Sequence, residues 1–265
     1  MGIAFAKYEG LGNDFVIVTA EREDAISPDT ARAMCDRRFG IGADGVLLLL
    51  PPKTAGAQGR MRVINADGSV PEMCGNGLRC AVLHVAREKK LGNVSFDTDA
   101  GVKECKVDDT KGEGIVTVDM GVVKFTEDVT VDVDDDRWEL ALADAGNPHA
   151  ITIVAASLAA IEKVGPKIEK HPRFKNGTNV EFAKYRGDEI DLVVWERGVG
   201  ITHACGTGAC ATVAVGVAKG WSKRNEEVKV HLPGGTLNVT IRTDDHAIMR
   251  GPARHVFSGA YEGKA

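Results

Sequence analysis

Cys74-Gly75-Asn76-Gly77 and Cys205-Gly206-Thr207-Gly208 are two copies of one phrase. Each is a cysteine, a glycine-bracketed turn and then an Ala/Val-rich run. The runs are Leu78-Arg79-Cys80-Ala81-Val82-Leu83-His84-Val85-Ala86 and Ala209-Cys210-Ala211-Thr212-Val213-Ala214-Val215. Glycines let a backbone turn sharply and come close to a ligand, and apolar runs entered through them read as buried helices. Each cysteine then sits at or just before a helix N-terminus. Unpaired N–H groups and the positive end of the helix dipole lower a thiol's pKa there, and the same groups bind carboxylates. Two such thiols in one chain suggest two opposed sulfurs around one anion.

The copies lie 131 positions apart in a chain of 265 residues, which predicts a duplication. Other segments recur at a similar offset. Gly12-Asn13-Asp14-Phe15-Val16-Ile17 answers to Gly146-Asn147-Pro148-His149-Ala150-Ile151. Met61 to Asn65, before the first cysteine, answers to Leu192 to Glu196, before the second. Asp44, in Phe39-Gly40-Ile41-Gly42-Ala43-Asp44, answers to Asn179 in Asn176-Gly177-Thr178-Asn179-Val180. Four matches in order argue for two homologous halves. The expected halves are residues 1–130, carrying Cys74, and 131–265, carrying Cys205, with the last residues free to pack back on the first. A ligand site is expected in the cleft between halves.

Composition narrows the function classes. Hydrophobic content of 43% and charged content of 27% fit a soluble globular protein. A net charge of −5 points to neither nucleic acid nor an anionic membrane surface. No apolar run approaches the ~20 residues that span a bilayer, and Met1 to Lys7 lacks the pattern of a signal peptide. A cytoplasmic, reduced protein is expected. Six cysteines allow a disulfide framework, yet such frameworks belong mainly to small secreted chains. Cys35, Cys80, Cys105 and Cys210 therefore read as buried small hydrophobes. No Cys-x-x-Cys pair supports zinc, so no metal is expected.

Strands are expected at 4–9, 15–19, 46–50, 61–64, 94–97, 101–107 and 115–120. In the second half they are expected at 150–154, 180–185, 190–195, 228–232, 237–241 and 247–250. Helices are expected at Pro28 to Arg37, capped by Ser27, from Cys74 to before Gly92, and at 157–163, 166–170 and 208–219. Val129 to Leu142, an acidic stretch, reads as the passage between halves, with Asp132 to Asp136 as a solvated turn. The fold class is α+β, mixed or antiparallel strands in each of two pseudosymmetric halves surrounding a central cysteine-led helix.

A thiolate can be a nucleophile, a metal ligand, a redox partner or a general base. Nucleophilic catalysis needs one cysteine with a basic partner, and redox work usually shows a close pair. Two equivalent cysteines, one per half, suit stereoinversion by two bases, one removing a proton and the other delivering one. The helix ends would hold a carboxylate and stabilise the charge that builds on the ionising carbon acid. No P-loop, strand–GxGxxG–helix unit or evident pyridoxal lysine accompanies them, so no cofactor is expected.

At these residues the chain resembles the diaminopimelate epimerases. The matching stretches include Gly10 to Phe15, Gly40 to Asp44, Asn65 to Ser69 and Glu72 to Cys80 in the first half. Gly146 to His149, Gly177 to Phe182, Trp195 to Gly200 and Ala204 to Ala211 follow in the second. The resemblance implies a pyridoxal-independent enzyme interconverting LL- and meso-diaminopimelate, on the route to lysine and peptidoglycan. It implies Cys74 and Cys205 as the two bases. Gly75, Asn76, Gly206 and Thr207 would hold the reacting α-carboxylate. Asn65, Asn179 and Arg197 would hold the distal amino-acid end, and Glu196 would lie at the substrate's amino side or beside a thiol. Asn13 and Asn147 would line the cleft, and His149 would help ionise Cys74. A homodimer is implied as well. Glu196-Arg197 also admits a plainer reading as a surface ion pair worth ~1 kcal/mol or less. Its place after an apolar strand and ahead of Cys205 favours the substrate role.

Overall fold

In a computed structural model, residues 2–71, 74–109 and 113–263 are described. The chain divides into two compact units, Met1–Val118 with Gly251–Ala265, and Asp119–Arg250.

The first unit runs β1 (Ile3–Gly10), β2 (Asn13–Thr19), α1 (Pro28–Cys35), β3 (Gly45–Leu50), β4 (Gly59–Asn65), α2 (Gly75–Lys89), β5 (Asn93–Thr98), β6 (Gly101–Asp109) and into β7 (Gly114–Val122). β1 and β2 pair antiparallel, β2 and β3 parallel, β3 and β4 antiparallel, β4 and β5 parallel, and β5, β6 and β7 antiparallel. The run Gly45-Val46-Leu47-Leu48-Leu49-Leu50 is buried throughout, as a central strand covered on both faces must be. Val46, Leu48 and Leu50 join Ala31, Met34 and Cys35 of α1 in one core cluster. Leu47 points the other way, against the first turn of α2 at Gly77. Period-two alternation thus sends successive residues of β3 to two different helices.

The second unit runs β8 (Lys124–Val133), β9 (Asp136–Asp144), β10 (Pro148–Ile153), α3 (Leu158–Glu169), β11 (Asn179–Arg186), β12 (Glu189–Glu196), β13 (Gly200–Ile201), α4 (Gly206–Ala218), β14 (Glu227–Leu232), β15 (Gly235–Ile241) and into β16 (His246–Tyr261). From β9 onward the pairing sequence repeats that of the first unit. β9 and β10 are antiparallel, β10 and β11 parallel, β11 and β12 antiparallel, β12 and β14 parallel, and β14, β15 and β16 antiparallel. Val180 and Phe182 of β11 pack with Ile161, Val164 and Ile168 of α3. Glu181 between them faces Gly208 of α4, in the place that Leu47 takes beside Gly77. The outer edge of β9 is covered by β8, and that of β1 by Arg254–Tyr261 of β16.

The two cysteine-led helices are the most buried. Gly75 through Leu83 of α2 and Gly208 through Gly216 of α4 are shielded from solvent without a break. A helix apolar around its whole circumference needs protein on every side, and strands supply it.

Three local expectations change. Val129 to Leu142 is a hairpin of β8 and β9 and not a passage: Val131, Val133 and Leu140 point into the α3 cluster while the acidic residues between them face water. Its two-residue turn begins at Asp134 with φ +55°. The two helices expected at 157–163 and 166–170 are one, α3, which retains Pro166 inside. Proline removes one helical hydrogen bond, and the stripe Ile161, Val164 and Ile168 holds the helix in place across it. The strand expected at 247–250 continues to Tyr261.

Candidate active site

In the first unit Cys74 is the N-cap of α2, extended at φ −137° and ψ 110°. Its sulfur accepts a hydrogen bond from the Gly77 amide at 3.4 Å, one of the donors a helix start leaves unpaired. A chain of side chains fixes what surrounds that sulfur. Arg79, fully buried, donates from Nη2 to Asn76 Oδ1 at 3.0 Å. Asn76 Nδ2 donates to Asn13 Oδ1 at 3.1 Å, and that oxygen lies 4.0 Å from the Cys74 sulfur. Asn13 Nδ2 donates to Asp44 Oδ2 at 2.6 Å. An arginine can only donate and an ionised carboxylate can only accept, so both amide orientations follow. Arg37 braces Asp44 and Asp14, each at 2.7 Å. Burial alone would raise the Asp14 carboxyl, but hydrogen bonds from Arg37 and Lys7 outweigh it and hold it at about 2.

In the second unit Cys205 is the N-cap of α4, at φ −121° and ψ 108°, and its sulfur accepts from the Gly208 amide at 3.4 Å. Thr207 Oγ1 lies 3.5 Å from the same sulfur. Glu196, the last residue of β12, takes a hydrogen bond from Cys205 and another, at 2.5 Å, from the Thr202 hydroxyl. Burial holds the Glu196 carboxyl above its usual range, and the charge of Glu181 adds to the rise. The Cys205 thiol is pushed well above the usual range, first by burial and then by Glu196 and Glu181. The helix end that lowers a thiol's pKa is present, and here desolvation and two carboxylates outweigh it.

His149 of β10 and Glu181 of β11 are a fully buried pair, Nδ1 to Oε1 2.6 Å. The other ring nitrogen lies 2.9 Å from Asn147 Oδ1. The resemblance coupled His149 to Cys74; the partners of its ring nitrogens are Glu181 and Asn147, both in the unit of Cys205. Asn179 begins β11, donating from Nδ2 to the Pro148 carbonyl at 2.9 Å and accepting from the Arg197 amide at 3.0 Å. The Arg197 side chain is exposed, with Nη1 3.3 Å from the Asn176 carbonyl. Asn65 closes β4 and donates to Ser69 Oγ at 3.0 Å. Gly75 and Asn76, and Gly206 and Thr207, form the first turns of their helices.

Asn13 and Asn76 thus sit beside Cys74, and Thr207 and Glu196 beside Cys205; Asn65, His149 and Asn179 lie at strand ends, and Asn147 and Arg197 on the adjoining turns. Sequence reading missed three participants. Asp44 and Glu181 stand in quoted stretches but carried no role there, and Thr202 carried none either. Glu181 did leave a signal: a carboxylate set between the apolar Val180 and Phe182.

The remaining four cysteines are buried, and none of them is in a disulfide. Burial pushes the Cys35 thiol up to about 11 and raises that of Cys80 too, so neither is a candidate base.

The sequence model of the diaminopimelate epimerases matches residues 5–126 and 141–256. A diaminopimelate epimerase of Gloeothece citriformis is 43% identical, over 99% of this chain and 100% of its own. One from Synechococcus elongatus is 42% identical, over 99% of both. Among solved structures, a hydroxyproline epimerase from Agrobacterium vitis superposes with a TM-score of 0.72 at 17% identity, covering 98% of this chain and 91% of that one. A Bacillus anthracis phenazine biosynthesis protein has the same score and identity, covering 98% and 99%. At that distance the structures speak for the fold, while the sequence matches run through both cysteine phrases from end to end. The chain belongs to the diaminopimelate epimerase family.

Proposed function

We propose that this protein interconverts LL- and meso-2,6-diaminopimelate by a two-base mechanism, with Cys74 and Cys205 as the bases. The observation that carries this reading is the repetition. Two cysteines N-cap two buried helices, in equivalent positions of two units whose strands pair in the same sequence. A nucleophile or a redox pair would not need that equivalence.

In the reaction one sulfur, as thiolate, takes the α-proton and the electron pair of the C–H bond stays on the carbon, delocalised into the carboxylate. The other sulfur, as thiol, delivers a proton to the opposite face. Thiolate and thiol have then exchanged roles, and no oxidant or reductant is needed. The α-carboxylate is assigned to the first turns of the helices, where the amides at Gly75, Asn76, Gly206 and Thr207 donate and the dipole favours negative charge. Cys205, held as a thiol by its surroundings, enters as the proton donor; to reset the free enzyme for the opposite direction, Glu196, to which it donates, relays that proton to solvent while Cys74 takes one up. Asn65, Asn179 and Arg197 are assigned to the distal amino-acid end, where a guanidinium can clasp a carboxylate bidentately.

The reading extends to a step in lysine and peptidoglycan precursor synthesis, carried out by a cytoplasmic homodimer. Family membership supports that extension, and no helix among the described residues is long and apolar enough to cross a membrane. The test is incubation of the purified protein with LL-diaminopimelate under reducing conditions, with isomers resolved by chiral chromatography. Approach to a mixture of LL and meso forms supports the reading. An unchanged LL isomer, with turnover of proline or another amino acid instead, overturns the substrate.

A further inference from the structure

Asn13 and Asn147 are equivalent residues of the duplicated units, and their amides are held by opposite ends. Asn13 is gripped by its nitrogen, which donates to Asp44, so its oxygen faces Asn76 and Cys74. Asn147 is gripped by its oxygen, which lies 2.9 Å from His149 Nε2. The difference traces to one strand register. β2 and β3 pair Phe15 with Gly45 and Ile17 with Leu47. β10 and β11 pair His149 with Asn179 and Ile151 with Glu181. The apolar Phe15 and Leu47 of the first unit are therefore replaced by the imidazole and carboxylate of the second.

The packing at the helices agrees. A Cβ placed on Gly77 would come 2.9 Å from Leu47 Cδ2, and one on Gly208 would come 2.8 Å from Glu181 Oε1. Glu181 is fully buried, and its second oxygen, Oε2, has no hydrogen-bond partner among the described residues. A buried carboxylate with an unpaired oxygen is costly, and a simple core position would be filled by leucine, as the first unit shows. Oε1 accepts from His149 Nδ1, which therefore carries a proton. Nε2 faces an amide oxygen, which also only accepts, so it donates too.

We infer that Glu181 is a positioning residue: through His149 it turns Asn147 so that the amide NH2 is left for a ligand, opposite to Asn13, whose oxygen is turned to Asn76 and Cys74. Equivalent asparagines of the two units are thereby made chemically unequal: one turns its amide oxygen inward to Asn76 and Cys74, the other presents its amide NH2. Asn147 also lines a cavity of about 310 Å³ within the second unit, together with Phe174 and Thr178. The donor suits a carboxylate oxygen of an amino-acid substrate. This assignment rests on the epimerase reading for its meaning but not for its measurement.

The test is nitrogen-15 NMR of histidine-labelled protein at assay pH, with the His149 ring assigned through its own backbone. The expected result is two protonated ring nitrogens in wild type, loss of the Nε2 proton in Glu181→Gln, and a fall in kcat/KM of at least tenfold in that variant. An unprotonated Nε2 in wild type would mean that Asn147 donates to the ring, and would overturn the inference. Glu181→Gln that folds as wild type does and keeps full kcat/KM would overturn it too. Should that variant fail to fold, the wild-type ring decides alone. Because the ring signature needs no substrate, failure of wild type to epimerise would sink the activity reading and leave this result standing.

Discussion

Burial and then the charge of Glu196 make Cys205 harder to ionise, which dictates what a neutral replacement of Glu196 does. Glu196→Gln removes a negative charge beside the sulfur and leaves a hydrogen-bonding side chain in its place. The expected outcome is twofold. Thiolate ultraviolet absorbance from Cys205 should appear at lower pH than in wild type, because one of the two carboxylates holding the proton on is gone. Epimerisation should nonetheless slow by roughly 10²-fold, the usual loss when a positioned proton acceptor is removed. A thiolate titration unmoved by the substitution would place Glu196 outside the environment of Cys205. Asp14 has the opposite shift. Its carboxyl is held at about 2, below the 3.8 of an unperturbed aspartate, so the folded state binds its proton more weakly than the unfolded state does. Its contribution, on the order of 2 kcal/mol, is fully present above the unfolded value and is lost as pH falls from about 4 to about 2. Thermal melts across that window should show Asp14→Asn with a shallower acid destabilisation than wild type. Parallel curves would contradict the assignment.

At the level of elements, α3 is pinned to β12 by a contact that tolerates no side chain. A Cβ on Gly165 would meet the Trp195 ring at 2.7 Å, and Trp195 donates from Nε1 to Glu169 Oε2 at 2.7 Å. Gly165→Ala is expected to cost about 1–3 kcal/mol, the range for overpacking, read as a lower urea midpoint with unchanged slope. An unshifted midpoint would show that the helix can slide on the sheet. Which elements are legible in sequence follows from how their residues are solvated. Both cysteine-led helices announce themselves because an Ala/Val-rich run follows each cysteine and the glycines mark their start. β3 is equally plain as a run of leucines. The β8–β9 hairpin is harder, because only one of its faces is buried and the other is so acidic that net charge masks the alternation Val129, Val131, Val133. Pro166 suggests a break that packing of the flanking residues overrides. Within the site, Cys74, Cys205 and the glycines beside them are legible since their chemistry and their spacing coincide. Glu181 is not, because its function lies in a pairing across β10 and β11 that only the register reveals.

At the scale of the whole chain, the duplication accounts for the order of strand pairing and also for where the two units part ways. The second unit covers the edge of β9 with its own β8, whereas β1 takes its partner from the end of the chain, residues 254–261 of β16. A chain ending at Arg250 should therefore leave β1 unpaired on one edge. Amides of β1 are expected to exchange with solvent far faster than in the full chain, while those of α4 remain protected. Equal protection of β1 in both proteins would show that β16 is dispensable to the first unit.

The central claim, that two equivalent thiols act as the two bases, is tested most directly by exchange of the α-proton in deuterated water under reducing conditions. Wild type, Cys74→Ala and Cys205→Ala would each be presented with LL- and with meso-diaminopimelate. The account predicts that wild type exchanges and epimerises both isomers, while each variant loses epimerisation by more than 10³-fold because one face no longer has a proton carrier. A variant that lacks either sulfur and still epimerises at a rate near wild type would contradict it.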